Sequence, residues 1–356
     1  MFLYNQWYVA AWSTEVTRTP LARTLLNEPV VLFRTEAGEI AAMENRCPHR
    51  RVPLSGGKVI GDILQCPYHG LQFNVDGACV RVPGQEMIPP TACVRTYPTE
   101  ERYQWVWIWM GDAAKADPDL IPDYHWMTDD EWGAKGALFH VKANWQLIVD
   151  NLLDLTHLAF VHETTIGNAA VAENAAVKVT RKPNNVLVSR WVIDKPAPPT
   201  YVKAGGFTGP VDRWQFIDFT PPSFLRLHVG ATPTGTGAPE GTFVDGINMR
   251  NLNCITPETE NTTHYFWAQA HDFDPKNQTV TDMVFEQVKI AFLEDVDIFE
   301  AQQRSIDAHP DAKQIDINAD SGGIQARKIL ERLHVEELAE LAQAEPKVAA
   351  GQRVIG

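Results

Sequence analysis

Two short motifs and one carboxylate define the chemistry available to this chain. The first motif is Cys47-Pro-His49, followed after sixteen intervening residues by Cys66-Pro-Tyr-His69. Each can present one thiolate and one imidazole from a single loop, so two loops brought together offer four ligands. Such a set suits tetrahedral zinc, or a [2Fe–2S] cluster with two Cys on one iron and two His on the other. The spacing favours the cluster, because zinc fingers usually keep both Cys on one knuckle and both His on another. Both motifs follow apolar strand-like runs and end in turn residues, the pattern of two hairpin tips. The other cysteines, Cys79, Cys93 and Cys254, lack such partners and read as buried or inert thiols. Five sparse cysteines do not make a secreted disulfide framework.

The second motif is NLLDLTHLAFVHE, which holds Asn151, Asp154, His157 and His162. Helical periodicity runs through 144–160, so Asn151, Asp154 and His157, three apart, are expected on one helix face. His157 and His162 are five apart, and steps of about 100° leave them about 140° apart on a regular helix. They can share one metal only if the helix ends or widens between them. Ionisable groups among Leu, Ile, Val and Phe are costly to bury unpaired. Two His need one carboxylate to form a facial triad for non-haem Fe(II). Asp154 could supply it, as could a distant acid. On a long amphipathic helix expected over 279–306, Val284, Val288, Ala291, Asp295 and Ile298 fall at steps of four and three, the spacing of a buried stripe. Asp295 is therefore the inward carboxylate, and Glu294 and Asp297 are expected to face solvent.

The elements that must position these groups fall into two parts. Short apolar runs alternate with Gly and Pro breakers up to residue 111, which reads as an all-β domain. The stretch DAAKADPDLIPDY, with two prolines and four aspartates, opens a linker over 112–137. From 138 to 356 a helical segment, strand-like runs (186–193, 213–219, 224–230 and 263–270), the long helix and a last helix (322–341) follow. The tail, 336–350, reads as a solvated helix end. The fold class is α+β.

Composition excludes several functions. With 31 Lys+Arg against 45 Asp+Glu, the net charge of −14 argues against general nucleic-acid binding. No run approaches the roughly 18 apolar residues of a membrane span. The N-terminus lacks a basic region and a clean cleavage site, so cytoplasmic location is the expectation. Residues 45–61 carry Arg46, Arg50, Arg51 and Lys58 and no acid, which suits docking of an acidic electron donor. In the strand 224–230, Arg226 and His228 share one face, and Leu225, Leu227 and Val229 the other. Arg226, Arg213 and Arg250 are candidates to meet a substrate carboxylate or sulfonate.

Taken together, the chain resembles the oxygenase component of Rieske non-haem iron oxygenases over nearly its whole length. The similarity is to the branch with vanillate O-demethylase, dicamba O-demethylase and toluenesulfonate methyl-monooxygenase. It is carried by NQWYVAAW (5–12), CPHRRVPLSGG (47–57), CPYHGLQF (66–73), VPGQE (82–86), DNLLDLTHLAFVH (150–162), VDRWQ (211–215), ITPETE (255–260) and ADSGGIQARKILER (319–332). The resemblance implies a Rieske domain over 1–111 and a helix-grip catalytic domain over 138–356. It implies that Cys47, His49, Cys66 and His69 hold the [2Fe–2S] cluster. His157, His162 and Asp295 would hold a mononuclear Fe(II). Asp154 would bridge the two sites between subunits of a head-to-tail homotrimer, with Asn151 beside the iron. Arg51-Val52 departs from many relatives, which have a small residue there, and touches no ligand. The implied reaction uses O2 and electrons from an NAD(P)H-dependent reductase with a ferredoxin-type domain. It oxidises a methoxy or methyl group on an aromatic acid, releasing formaldehyde in O-demethylation. The alternatives are methyl hydroxylation of a toluenesulfonate- or toluate-like substrate, ring dihydroxylation, or an electron carrier without catalytic iron.

Overall fold

The computed structural model describes residues 1–162, 165–167 and 177–344. The N-terminal part is all-β, as expected. Its strands are β1 (Trp7–Trp12), β2 (Leu21–Leu25), β3 (Glu28–Arg34), β4 (Ile40–Glu44), β5 (Lys58–Ile60), β6 (Ile63–Gln65), β7 (Gln72–Phe73), β8 (Cys79–Arg81), β9 (Thr99–Arg102) and β10 (Trp105–Trp109). They form three antiparallel sheets, ordered β1-β10-β9, β2-β3-β4 and β5-β6-β7-β8. The loop of Cys66 and His69 is the β6–β7 hairpin. The loop of Cys47 and His49 instead joins β4 to β5, which lie in different sheets, so it is a cross-sheet connection and not the expected hairpin tip. Asn45 closes it: its amide donates to Ser55 Oγ at 2.9 Å and its carbonyl oxygen accepts from Ser55 N–H at 2.7 Å. Gly57 then runs against the second loop, where any Cβ would lie 2.0 Å from the Gln65 carbonyl oxygen. That close approach brings the two Cys–His loops together.

Every residue of β10 is buried, because both of its faces are covered. Trp105, Trp107 and Trp109 join Phe224, Leu252 and Phe266 of the C-terminal part in one apolar cluster. Thr256 Oγ1 donates to the Val9 carbonyl at 2.8 Å across the same boundary. The segment expected as a linker packs into this seam. It makes 3₁₀ turns at Ala113–Lys115, Pro118–Leu120 and His125–Met127, and the Asp112 and Asp117 carboxylates cap the first two. Tyr124 and Met127 are buried. The first strand of the next sheet already begins at Gly133, inside the expected linker.

The C-terminal part is one seven-stranded antiparallel sheet clasping helices. After β11 (Gly133–Val141) come helices α1 (Trp145–Leu153) and α2 (Leu158–Val161), strands β12 (Val177–Lys182) and β13 (Asn185–Lys195), and helix α3 (Pro199–Gly205). Strands β14 (Val211–Thr220), β15 (Phe224–Pro233), β16 (Ile247–Pro257) and β17 (Thr263–His271) follow, then helices α4 (Gln278–Ala308) and α5 (Ser321–Ala344). The strand order is β11-β17-β16-β15-β14-β13-β12. Helix α4, capped by the Asn277 side chain at Thr279 N–H, packs on β11 and β17. Phe285 stacks on Trp267 at 5.2 Å between ring centroids, and Phe292 meets the same ring edge-on at 5.0 Å. The buried stripe of α4 includes Val284, Val288, Ala291 and Asp295, as expected, but continues through Phe299. Ile298 is 47% exposed, because a step of four from Asp295, not three, stays on the inner face here.

Helix α5 lies close on α1. A Cβ at Gly322 would come within 2.8 Å of Val188, and one at Gly323 within 2.8 Å of the Asp150 carboxylate. Arg327 pairs with that same carboxylate. Part of the expected solvated tail does structural work. Glu337 is buried, and its carboxylate accepts from the N–H groups of Tyr4 at 2.9 Å and Asn5 at 2.6 Å. Residues 345–350 of that tail lie outside the described residues. No described helix is long and apolar enough to cross a membrane.

Candidate metal centres

In the N-terminal site the thiols and the imidazoles are segregated. Cys47 and Cys66 are buried in a core with Leu54, Leu64, Leu71 and Phe73. His49 and His69 are exposed, with ring centroids 4.5 Å apart. Burial pushes the Cys47 thiol up to about 11, and the Cys66 thiol beside it acts in the same direction. A metal must therefore displace a tightly held proton to take this sulfur. A tetrahedral ion would gather all four donors around one point. Among the described residues, only His157, His162 and Asp295 have donor atoms that all lie within 4.8 Å of one another. Inward thiols and outward imidazoles instead fit a two-iron cluster with a buried Cys-held iron and an exposed His-held iron. Arg46, Arg50, Arg51 and Lys58 are all exposed around this rim.

The second site depends on a break in the helix. The α1 hydrogen bonding ends at Asp154, whose backbone is extended at φ −125°, ψ 101°. The Asp154 carboxylate caps a new 3₁₀ turn over Leu155–His157, accepting from Thr156 N–H at 2.8 Å and Thr156 Oγ1 at 2.9 Å. Asp is a strong capping residue, so the Asp-Leu-Thr run starts a fresh turn here. Helix α2 then lasts four residues, and His162 sits just past its end. Asn151, Asp154 and His157 therefore do not share a continuous helix face. The break supplies the condition the spacing demanded, and the two imidazole centroids come to 5.2 Å.

Each ring is oriented through Nδ1. His157 Nδ1 donates to the Asp154 carbonyl at 2.6 Å. Asp154 thus touches this histidine through its main chain and not through its carboxylate. His162 Nδ1 donates to Glu294 Oε2 at 2.7 Å, and Thr165 Oγ1 donates to the same oxygen at 3.3 Å. Both Nε2 atoms then carry lone pairs toward Asp295 Oδ1, at 3.5 Å from His157 and 3.1 Å from His162. Burial lowers the His157 pKa, with the Asp295 charge opposing it. For His162, burial also acts to lower the pKa, but Asp295 and then Glu294 outweigh it and the net shift is upward. Asn151 Nδ2 donates to Asp295 Oδ1 at 3.3 Å. Two buried atoms here, His162 Nε2 and Asn151 Oδ1, make no hydrogen bond among the described residues, although His162 Nε2 lies near the Asp295 carboxylate. A cation held by the three donors satisfies His162 Nε2, and two His with one carboxylate is a donor set suited to non-haem iron.

Sequence reasoning missed Glu294. It was expected to face solvent, but it reaches back to His162 from the residue beside Asp295. Helix periodicity hid this, because it follows only the face of α4 and not the loop that returns over its edge.

The three donors line one cavity. Leu227, Val229 and Met249 from the sheet and Val288 and Phe292 from α4 make it largely apolar, and Arg213, Gln215, Asn251 and Gln269 add polar groups from the strands. An apolar lining with a few convergent polar groups is the composition of a small-molecule site.

This layout is shared with known proteins. Residues 6–98 match the Rieske [2Fe-2S] domain, and residues 141–336 match the vanillate O-demethylase oxygenase C-terminal domain. The chain belongs to the Rieske non-haem iron monooxygenases, as an oxygenase component. It is 46% identical to the toluene-4-sulfonate monooxygenase system iron-sulfur subunit of Comamonas testosteroni, covering 94% of this chain and 97% of that protein. It is 36% identical to the vanillate O-demethylase oxygenase subunit of a Pseudomonas species, covering 95% and 96%. The crystal structure of dicamba monooxygenase bound to dicamba superposes with a TM-score of 0.86 at 31% identity, covering 95% of this chain and 99% of that one.

Glu294 gives a direct test of the ring orientation. Replacing a carboxylate that orients a metal-bound histidine typically costs about 10- to 100-fold in metal affinity. Glu294→Ala is expected to lose iron affinity by that factor, read by chelator competition, with the cluster spectrum unchanged. Wild-type affinity in the variant contradicts the role.

Proposed function

We propose that this chain oxidises a methoxy or methyl group on an aromatic acid, with O-demethylation to a phenol and formaldehyde as the first reading. The observation that carries it is the convergence of His157, His162 and Asp295, whose donor atoms all lie within 4.8 Å of one another at the wall of an apolar cavity. In this reading His157, His162 and Asp295 hold a mononuclear Fe(II), and Cys47, His49, Cys66 and His69 hold the cluster. When bound, the iron supplies O2 activation, fed by single electrons through the cluster. The protein residues prepare that chemistry. The Asp154 carbonyl and the Glu294 carboxylate hold the protons on Nδ1, so both Nε2 atoms face inward. The apolar walls exclude water and hold the ring so that one methyl or methoxy carbon faces the three donors. Insertion of one oxygen atom into a methoxy C–H bond gives a hemiacetal, which collapses to phenol and formaldehyde. The second oxygen atom leaves as water, with two electrons and two protons consumed.

Assembly and electron supply complete the proposal. His49 and His69 are exposed, so electrons enter and leave at that rim. An NAD(P)H-dependent reductase with an acidic ferredoxin-type domain fits the basic rim. A head-to-tail homotrimer is part of the same proposal, with Phe160, 79% exposed on α2 between the two histidines, offered as an apolar contact point. Asp154 then carries electrons from a neighbour's cluster histidine toward His157. Methyl hydroxylation is the second reading, favoured by the higher identity to the toluene-4-sulfonate subunit than to the vanillate one.

Incubation with a generic ferredoxin-type reductase, vanillate and toluene-4-sulfonate tests the proposal. Formaldehyde with the demethylated phenol supports the first reading, a benzylic alcohol supports the second, and no product from either contradicts both. Asp154→Asn tests the link between sites. Because the variant keeps the carbonyl that orients His157, it should retain iron and a normal cluster yet lose nearly all turnover. Fast single-turnover oxidation of its cluster, with substrate and O2 present, would refute the bridge.

A further inference from the structure

The fold separates the three arginines that could meet a substrate anion. Arg226 is bound to Asp218 at 3.0 Å, on the strand face opposite Leu227 and Val229. The Arg250 guanidinium lies over Trp126 and Trp132, 5.2 and 5.1 Å from their ring centroids, and donates to Asn248 Oδ1 at 2.7 Å. Arg213 alone of the three lines the cavity that holds His157, His162 and Asp295.

The surroundings of Arg213 are those of a cation awaiting a partner. It is 3% exposed. Nη2 donates to the Ile166 carbonyl at 3.1 Å, and the Tyr201 ring supports the guanidinium face at 4.5 Å. Those contacts fix its orientation and leave Nε and Nη1 buried without a hydrogen-bond partner among the described residues. Arg213 makes no ion pair among the described residues. Arg190 adds to the imbalance. It stands opposite Gln215 in the β13–β14 register, diagonal to Arg213, is also buried, and has an unpartnered Nη1. Burial lowers the Arg190 pKa; the Asp154 charge opposes this, and the Arg213 charge adds to it. A guanidinium does not shed its proton in a protein, and a buried unpaired charge is costly. An entering anion removes that cost and gains charge-assisted hydrogen bonds.

We infer that Arg213 selects the anionic group of the substrate, a carboxylate or sulfonate on an aromatic ring, and so points the methyl or methoxy end of that ring toward His157, His162 and Asp295. The inference rests on the aromatic-acid reading of this cavity. Leu227, Val229, Met249 and Phe292 provide the apolar walls for the ring.

The test titrates toluene-4-sulfonate and its neutral isostere toluene-4-sulfonamide into the anaerobic holoenzyme by calorimetry. A hydrogen bond to a charged group contributes about 1.5–3 kcal/mol, or about 10- to 150-fold in affinity. Wild type should prefer the sulfonate by at least about 10-fold. Arg213→Gln should abolish that preference and leave sulfonamide binding unchanged. Equal binding of both ligands by wild type, or a preference that survives in Arg213→Gln, overturns the inference. If the Gln variant does not carry an intact cluster, Arg213→Lys replaces it. That variant should weaken sulfonate binding without affecting the sulfonamide, and no change in sulfonate binding overturns the inference. Product analysis on the same wild-type preparation separates the two failures. Anion preference without any oxidised product sinks the oxygenase reading, and product without anion preference sinks the role of Arg213.

Discussion

The catalytic half depends on one interrupted helix. A continuous α-helix from Trp145 to His162 would leave His157 and His162 about 140° apart, out of reach of one ion. The Asp154 carboxylate ends that possibility by capping the turn at Thr156, while its carbonyl accepts a hydrogen bond from His157 Nδ1–H. One residue thus breaks the helix and sets the tautomer of the first histidine. The rest of the fold serves the same junction. Asn144 caps α1, and its N–H donates to Gln303 on α4 at 2.9 Å, which ties the start of the motif to the helix that brings Asp295. Gly322 and Gly323 let α5 press against the other side of α1.

Burial is apportioned oppositely at the two centres. In the N-terminal site the sulfurs are inside and the imidazoles outside, so an electron can enter through an exposed edge without opening the core. In the C-terminal site His162 and Asp295 are almost sealed from solvent, and several polar groups of the cavity around them, Asn151 Oδ1 and two Arg213 nitrogens included, are buried without a hydrogen-bond partner. A low-dielectric cavity strengthens every charge inside it. The same property makes an uncompensated guanidinium at Arg213 consequential.

Much of this was legible in the sequence, for physical reasons that differ by residue. The Cys–His pairs stand out because thiols and imidazoles at short spacing have few other uses. Asp295 was legible because a carboxylate amid an apolar stripe must be inward. The alternation that put Leu227 and Val229 on the cavity face follows from the strand period of two. The misreadings share a cause, which is that one-dimensional periodicity carries no information on what packs across. Glu294 looked solvated because the returning loop of His162 was invisible. The 112–137 segment looked like a linker because its prolines and aspartates mark turns, and turns also cap packed 3₁₀ segments. Glu337 looked like tail solvent surface, but it holds backbone N–H groups from the other end of the chain. Asp154 read as a helix-face residue because Leu155 and Leu158 continue the apolar period straight through the break.

If His157, His162 and Asp295 hold iron, each chain gathers a third iron beside the two of the cluster. The most direct measurement is the ratio of iron to acid-labile sulfide in purified wild type and in Asp295→Ala. About three irons to about two sulfides are expected in wild type, falling to about two to two in the variant with the cluster absorbance intact. Two irons to two sulfides in fully loaded wild type, or a ratio unmoved by the substitution, would contradict it.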